Sequence, residues 1–185
     1  MFLIHIIGIT STGSTFTIGI CFLPGKEEED ITWALQKFKK YGIDPGLVVT
    51  DADGATKNAV EAVFVDAPTI LCIWHVNECV SARYIKTVGN EGQKEFMTSW
   101  RKVLAAPTVD GFKEQWHEFC TKYRKGWTQD VVDYIEKQWI HHGKKERLCA
   151  AWTSQYRHYG TLVSSWYVVF NLIFTLYMVL GTNCD

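Results

Sequence analysis

The stretch Leu47 to Val76 restricts the fold of this chain more than any other. It reads LVVTDADGATKNAVEAVFVDAPTILCIWHV: a β-branched apolar run, an aspartate at its end, a helix-length segment, and a second apolar run closing on Cys72-Ile73-Trp74-His75. Strand, helix and strand in that order form a parallel α/β unit. Asp51 then stands at the C-terminal edge of a strand, the place where α/β proteins hold their ligands.

The residues before this unit extend its sheet. Phe2 to Ile9 is rich in isoleucine, stops at the turn cluster Thr10-Ser11-Thr12-Gly13-Ser14, and is followed by the apolar run Phe16 to Phe22, the pattern of an antiparallel hairpin. Pro24-Gly25 ends it. Glu27 to Asp30 place negative charge where a helix N-terminus is positive, and Ile31, Ala34, Leu35 and Phe38 supply an apolar stripe at helical spacing. Gly42 and Asp44-Pro45-Gly46 stop that helix before a strand over Leu47 to Thr50. After Asp51, Ala55, Ala59, Ala62 and Val63 recur at helical spacing, Asp53 is placed to cap the helix, and Pro68 precedes a strand over Thr69 to Ile73. The predicted order is β-β-α-β-α-β.

From Val76 to about Tyr156 the pattern turns helical, with paired charges, with Trp100, Trp116, Trp127, Trp139 and Trp152, and with breaks at Pro107 and Gly126. An all-α insertion packed on tryptophans is the expectation, and the uneven tryptophan spacing argues against an internal repeat. With 185 residues, 47% of them hydrophobic and 14% aromatic, the chain has material for one compact domain carrying such an insertion. A formal net charge of -1 supplies no global basic field, so nucleic-acid binding has to rest on local patches. Cys21, Cys72, Cys79, Cys120, Cys149 and Cys184 lack the paired spacing of a secreted disulfide framework and fit reducing surroundings. The apolar N-terminus has no basic leader and reads as a core strand, not as a signal peptide.

The motifs of the Leu47 to Val76 unit resemble the MULE (Mutator-like element) transposase domain, a DDE-type nuclease of RNase H-like fold. Thr50-Asp51 resembles the TD that carries that family's second acid, Ala55 and Ala59 its small-residue helix positions, and Leu71-Cys72-Ile73-Trp74-His75 its LCxWH signature. The resemblance covers most of residues 1–160. It implies DNA cleavage and strand transfer at transposon ends, Mg2+ or Mn2+ as cofactor, DNA as partner, a nuclear location, and an assembly compatible with an oligomer. Two-metal phosphoryl transfer requires several carboxylates converging on the ions, and Asp51 is the catalytic and Mg2+-binding candidate. Taken alone, a TD at a strand end is equally a helix cap or a surface turn. Cys72 and His75 also have two readings. One is a soft pair for zinc asking for two more ligands, with Cys79, His141, His142 and His158 as candidates. The other is a buried thiol and a satisfied histidine at a strand-to-helix junction.

Against the family pattern, two acids are missing. The resemblance places the first on a central strand that precedes the hairpin in sequence. The expected fold is therefore α/β, an RNase H-like mixed sheet without its first, central strand and with a large α-helical insertion. Asp44 and Asp66 fall in loops and do not replace the lost acid. The third acid is a glutamate in a stretch resembling H-[FY]-G-x-x-T-T-S-R-x-E; His158 to Ser165 follow that pattern, Trp166 departs from it, and Val168 stands at the glutamate position.

The expected domains are residues 1–75 as an incomplete α/β core, 76–160 as the helical insertion and 161–185 as an apolar tail. From Tyr159 to Cys184 there is no charged residue, and Trp166 to Leu180 is almost continuously apolar. This tail is read as translated non-coding sequence. It has two rivals: a membrane segment, which takes about twenty apolar residues, and a strand or helix packed on the surface that the missing strand leaves bare. A chain with one acid of three is expected to be an inactive fragment of the transposase. The alternatives are a domesticated, non-catalytic DNA-binding or interaction module and a tail-anchored membrane protein.

For DNA contact the densest basic-aromatic run is Tyr123-Arg124-Lys125-Gly126-Trp127, with Arg124 and Lys125 for phosphates and Trp127 for stacking. Its acidic neighbours Asp130, Asp133 and Glu136 support a competing account, an ordinary solvated helix face.

Overall fold

The computed structural model describes residues 2–10, 12, 14–156 and 173–180. The chain up to Cys72, together with the strand 173–180, forms one compact unit, and Ile73–Tyr156 forms a second.

The first unit opens with the expected hairpin. Strand β1 (Phe2–Ile9) pairs antiparallel with β2 (Thr15–Leu23), Phe2 opposite Leu23 and Ile9 opposite Thr15, with a register shift between Ile6 and Ile7. Helix α1 (Glu28–Lys40) has Glu28, Glu29 and Asp30 in its first turn and Lys37, Lys39 and Lys40 in its last, both complementary to the helix dipole. Strand β3 (Pro45–Thr50), helix α2 (Gly54–Val63) and strand β4 (Thr69–Leu71) then make the crossover, with β3 and β4 parallel. Ile4, Ile6, Leu23 and Val48 of the strands meet Ile31, Ala34 and Leu35 of α1 and Ala59, Val60, Val63 and Phe64 in and after α2, forming one continuous core. Lys39 closes the pair of helices by donating from Nζ to the Val63 carbonyl at 2.5 Å.

Four details differ from the sequence reading. Ala62 is exposed, and Thr56 and Val60 take the inward positions beside Ala59 and Val63. Strand β4 ends at Leu71 instead of Ile73. Ile73, Trp74 and His75 belong to the first turn of helix α3 (Ile73–Val88), so the helical unit starts three residues before Val76. The apolar run is long enough for either element, and the switch of period at Cys72 falls inside it.

The fourth difference concerns the middle of the sheet. Strand β5 (Ile173–Leu180), part of the apolar tail, lies between β1 and β3 in the order β2-β1-β5-β3-β4. It runs parallel to β1, Leu3 beside Ile173 and Ile9 beside Val179, and antiparallel to β3, Val49 beside Tyr177. For residues 173–180 this matches the reading of the tail as a strand on the surface left bare. The rest of the tail, Arg157, the His158 to Ser165 stretch and Val168 lie outside the described residues. Among the described residues no helix is long and apolar enough to cross a membrane.

The second unit is helical: α3, α4 (Gln93–Ala105), α5 (Val109–Tyr123), α6 (Gln129–Ile135) and the short α7 (Ala150–Thr153). Pro107 separates α4 from α5, where the Thr108 hydroxyl accepts from the Gly111 N–H at 3.1 Å as an N-cap. Gly126–Thr128 form a 3₁₀ turn, Glu136–Ile140 a π-helical turn, and Lys145–Arg147 a second 3₁₀ turn. The interior is aromatic, as expected. Phe96 meets Tyr84, Phe119 and Tyr123 with ring centroids 4.6, 5.1 and 4.8 Å away, geometry that adds to simple area burial. Trp100 and Trp139 are buried, whereas Trp127 is 81% exposed and takes no part in this core.

Candidate functional site

Asp51 follows β3 directly. Thr50, the last residue of that strand, is fully buried, and its hydroxyl donates to the Asp51 carbonyl at 2.8 Å. The Cys72 N–H donates to the Thr50 carbonyl at 2.7 Å, so the β3–β4 ladder runs on to the level of Asp51. The Asp51 side chain is half-buried and accepts the Asp53 N–H on Oδ1 at 3.1 Å. This places a carboxylate at the C-terminal edge of two parallel strands, where the sequence put it.

Asp53 has a different task. Its Oδ2 accepts both the Thr56 N–H and the Thr56 hydroxyl, each at 2.9 Å, which makes it the N-cap of α2. With Oδ2 occupied in this way, Asp53 serves the helix and not the strand edge.

A Mg2+ or Mn2+ pair needs further oxygens converging near Asp51. Strand β5 runs antiparallel to β3 with Tyr177 beside Val49, so its first half, Ile173-Phe174-Thr175-Leu176, runs on from that pair toward the Asp51 end. None of those residues is acidic. Among the described residues no three His, Cys, Asp or Glu side chains gather as a metal-holding group. The described residues at this edge therefore do not by themselves fit a two-metal centre.

Cys72 and His75 fall in different units. Cys72 is buried at the end of the sheet unit, and His75 lies in the first turn of α3, its ring edge-on to Trp74 with centroids 4.9 Å apart. Of the suggested additional zinc ligands, Cys79 is exposed on α3, and His141 and His142 are exposed after the π-helical turn. His158 is outside the described residues. The described cysteines form no disulfide.

The basic-aromatic run is split by its partners. Arg124 sits at the C-terminus of α5 and forms ion pairs with Glu136, Nη2 to Oε2 at 2.5 Å, and with Asp133, Nε to Oδ1 at 3.5 Å. Lys125 and Trp127 are exposed. Thr128 Oγ1 donates to the Tyr123 and Lys125 carbonyls and holds this turn in shape. Nearby, Lys122 meets Glu95 at 2.6 Å. That hydrogen bond, with the charge attraction behind it, lowers the Glu95 carboxyl and raises the Lys122 ammonium from their ordinary values.

Sequence reasoning named Asp133 and Glu136 as acidic neighbours of the run without pairing them to Arg124. Glu136 and Asp133 reach it only because the 3₁₀ turn folds α6 back beside the end of α5, and no helical spacing along one segment announces that pairing. Thr56 was also missed, although its distance of three residues from a candidate N-cap was a usable signal.

Residues 1–79 match the family model of the MULE transposase domain. Among curated proteins no relative matches.

Proposed function

We propose that this transposase-related chain binds DNA without cutting it: an RNase H-like sheet of DDE ancestry in which Asp51 is the one catalytic carboxylate left. The observation that carries this reading is the composition of the strand beside it. In two-metal phosphoryl transfer a second acid has to reach the Asp51 edge from a neighbouring element, and β5 brings isoleucine, phenylalanine, threonine and leucine to that end. One carboxylate holds Mg2+ weakly because Mg2+ keeps its waters. Cys72 and His75 act as junction residues, and no zinc-dependent step is assigned to them.

DNA is the partner that a transposase-related domain implies, and it takes the protein to the nucleus. Lys125 and Trp127, exposed on one turn, provide a phosphate contact and a stacking surface. Arg124 contributes less, since its charge is already matched by Glu136 and Asp133.

The test is a plasmid-nicking assay with Mg2+ or Mn2+, run beside a DNA-binding titration on the wild type and Asp51→Asn. Salt-dependent binding in both proteins, with no nicking in either, is the expected result. Metal-dependent nicking that disappears in Asp51→Asn would overturn the reading.

A further inference from the structure

Charge is unevenly shared along the chain. Residues 1–72 hold five lysines against nine acids, a net of -4, whereas residues 73–156 hold thirteen Lys and Arg against ten acids, a net of +3. The helical unit is therefore the half suited to a polyanion. Within it, three of the thirteen cations are matched by carboxylates of other segments or turns among the described ion pairs: Lys113 by Asp110, Lys122 by Glu95, and Arg124 by Glu136 and Asp133.

The segment His141-His142-Gly143-Lys144-Lys145-Glu146-Arg147 stands apart. It carries three cations against one acid in sequence, and of these cations Lys144 takes part in none of the described ion pairs. Glu146 lies 3.7 Å from Lys145 and turns Oε2 into the protein, where that atom is buried without a hydrogen-bond partner. We propose that this loop is the main phosphate-contacting surface of the helical unit and takes the backbone of duplex DNA; the inference rests on the DNA-binding reading above.

The loop presents its donors in an ordered way. His142 at φ 60° and Gly143 at φ 74° are two successive left-handed residues, and they reverse the chain so that His141, His142 and Gly143 are all exposed. The Lys144 ammonium lies 5.2 Å from the centre of the Trp139 ring, and that of Lys145 lies 5.9 Å from the centre of Trp152. A ring face attracts the charge while leaving ammonium N–H groups to donate elsewhere. It also restrains two long side chains before binding, which reduces the ordering needed in the complex. The histidine rings add donors beside them. The Tyr123 to Trp127 run, richer in sequence, offers a phosphate only Lys125 with its charge unmatched among the described ion pairs.

The experiment is a salt titration of the full chain on a fluorescein-labelled DNA duplex, followed by anisotropy, for the wild type, Lys144→Gln/Lys145→Gln and Lys113→Gln. Each lost phosphate contact flattens the plot of log affinity against log salt by about 0.9, so the double variant is expected to be shallower by about 1.8. Lys113→Gln, on a lysine hydrogen-bonded to Asp110 at 2.9 Å where Lys145 only approaches Glu146 to 3.7 Å, is expected to keep the wild-type slope. Near-ultraviolet circular dichroism of the tryptophans verifies folding. If the double variant is unfolded, Lys144→Gln alone should flatten the slope by about 0.9. A folded variant with the wild-type slope overturns the inference while leaving DNA binding in place, and a wild type that ignores DNA overturns the DNA-binding reading with it. Binding to phosphatidylserine vesicles but not to duplex DNA overturns the choice of occupant.

Discussion

Asp51 and Asp53 stand two residues apart, and substitution separates their roles. Asp53→Ala removes the acceptor of the Thr56 N–H and of the Thr56 hydroxyl. Loss of the cap costs about 1 kcal/mol. Thr56 is fully buried, so its orphaned hydroxyl adds a penalty of roughly 1–3 kcal/mol. The expected total is about 2–4 kcal/mol. Both bonds end on one oxygen, and the single carbonyl oxygen of asparagine accepts two donors. Asp53→Asn is therefore expected to cost roughly 0.5 kcal/mol or less. In Asp53→Ala/Thr56→Val no hydroxyl is left unpaired, and the double variant should recover about 1 kcal/mol relative to the sum of the singles. Asp51→Ala removes the exposed acceptor of the Asp53 N–H and leaves the α2 cap intact, so it should cost less than Asp53→Ala. The assay is urea unfolding combined with hydrogen exchange of the α2 amides, because a chain of two units need not unfold in one step. Asp53→Ala within about 0.5 kcal/mol of wild type, or Asp53→Asn as damaging as Asp53→Ala, would refute the capping argument.

Three further outcomes follow from local geometry. A Cβ on Gly19 would lie 2.3 Å from the half-buried Phe38 ring, and one on Gly8 would lie 2.4 Å from Phe16, which is 42% exposed and able to move; Gly19→Ala should cost about 1–3 kcal/mol by urea unfolding and Gly8→Ala clearly less. Glu95 titrates below its ordinary 4.5 because Lys122 bonds to the ionised form, so the pair stabilises the fold above that pH and its contribution is lost as pH falls through the lowered value; an NMR titration should show the midpoint rising in Lys122→Met. Burial pushes the Cys149 thiol up to about 12, so stability tied to it falls as pH rises from 9.0 toward that value, and iodoacetamide at neutral pH should modify exposed Cys79 while sparing Cys149 until the chain is unfolded.

The α/β pattern was legible wherever local chemistry decides. The hairpin, α1 with its acidic first turn and basic last turn, and the cap at Asp53 all follow from residues within one or two turns of each other. The carboxylate at the β3 edge was legible for the same reason. What sequence patterns missed depends on distant partners. Cys72 to His75 satisfy a strand or a helix equally, and only the end of the β4 ladder at Leu71 selects the helix. Trp127 has two sequence readings, a core tryptophan and a stacking surface, and only the short turn between α5 and α6, which turns it outward, separates them. Arg124 looks like a phosphate ligand until α6 folds back to bring Glu136 to it.

Strand β5 makes the same point with greater consequence for function. A strand between two others must pair on both edges, and a central strand between covered faces favours residues that carry no charge. Ile173 to Leu180 meets that demand throughout, which is also why the same residues read as a membrane segment or as aberrant sequence when seen alone. Backbone hydrogen bonding asks only for an extended, apolar chain in either direction, and β5 supplies both edges, parallel to β1 and antiparallel to β3. A metal centre asks for a carboxylate at one particular end. Strand β5 thus pairs on both edges and brings no acid of its own to the Asp51 end. Those two requirements are physically independent, so a complete sheet is no argument for an active one, and the DNA-binding and nicking assays have to be read separately.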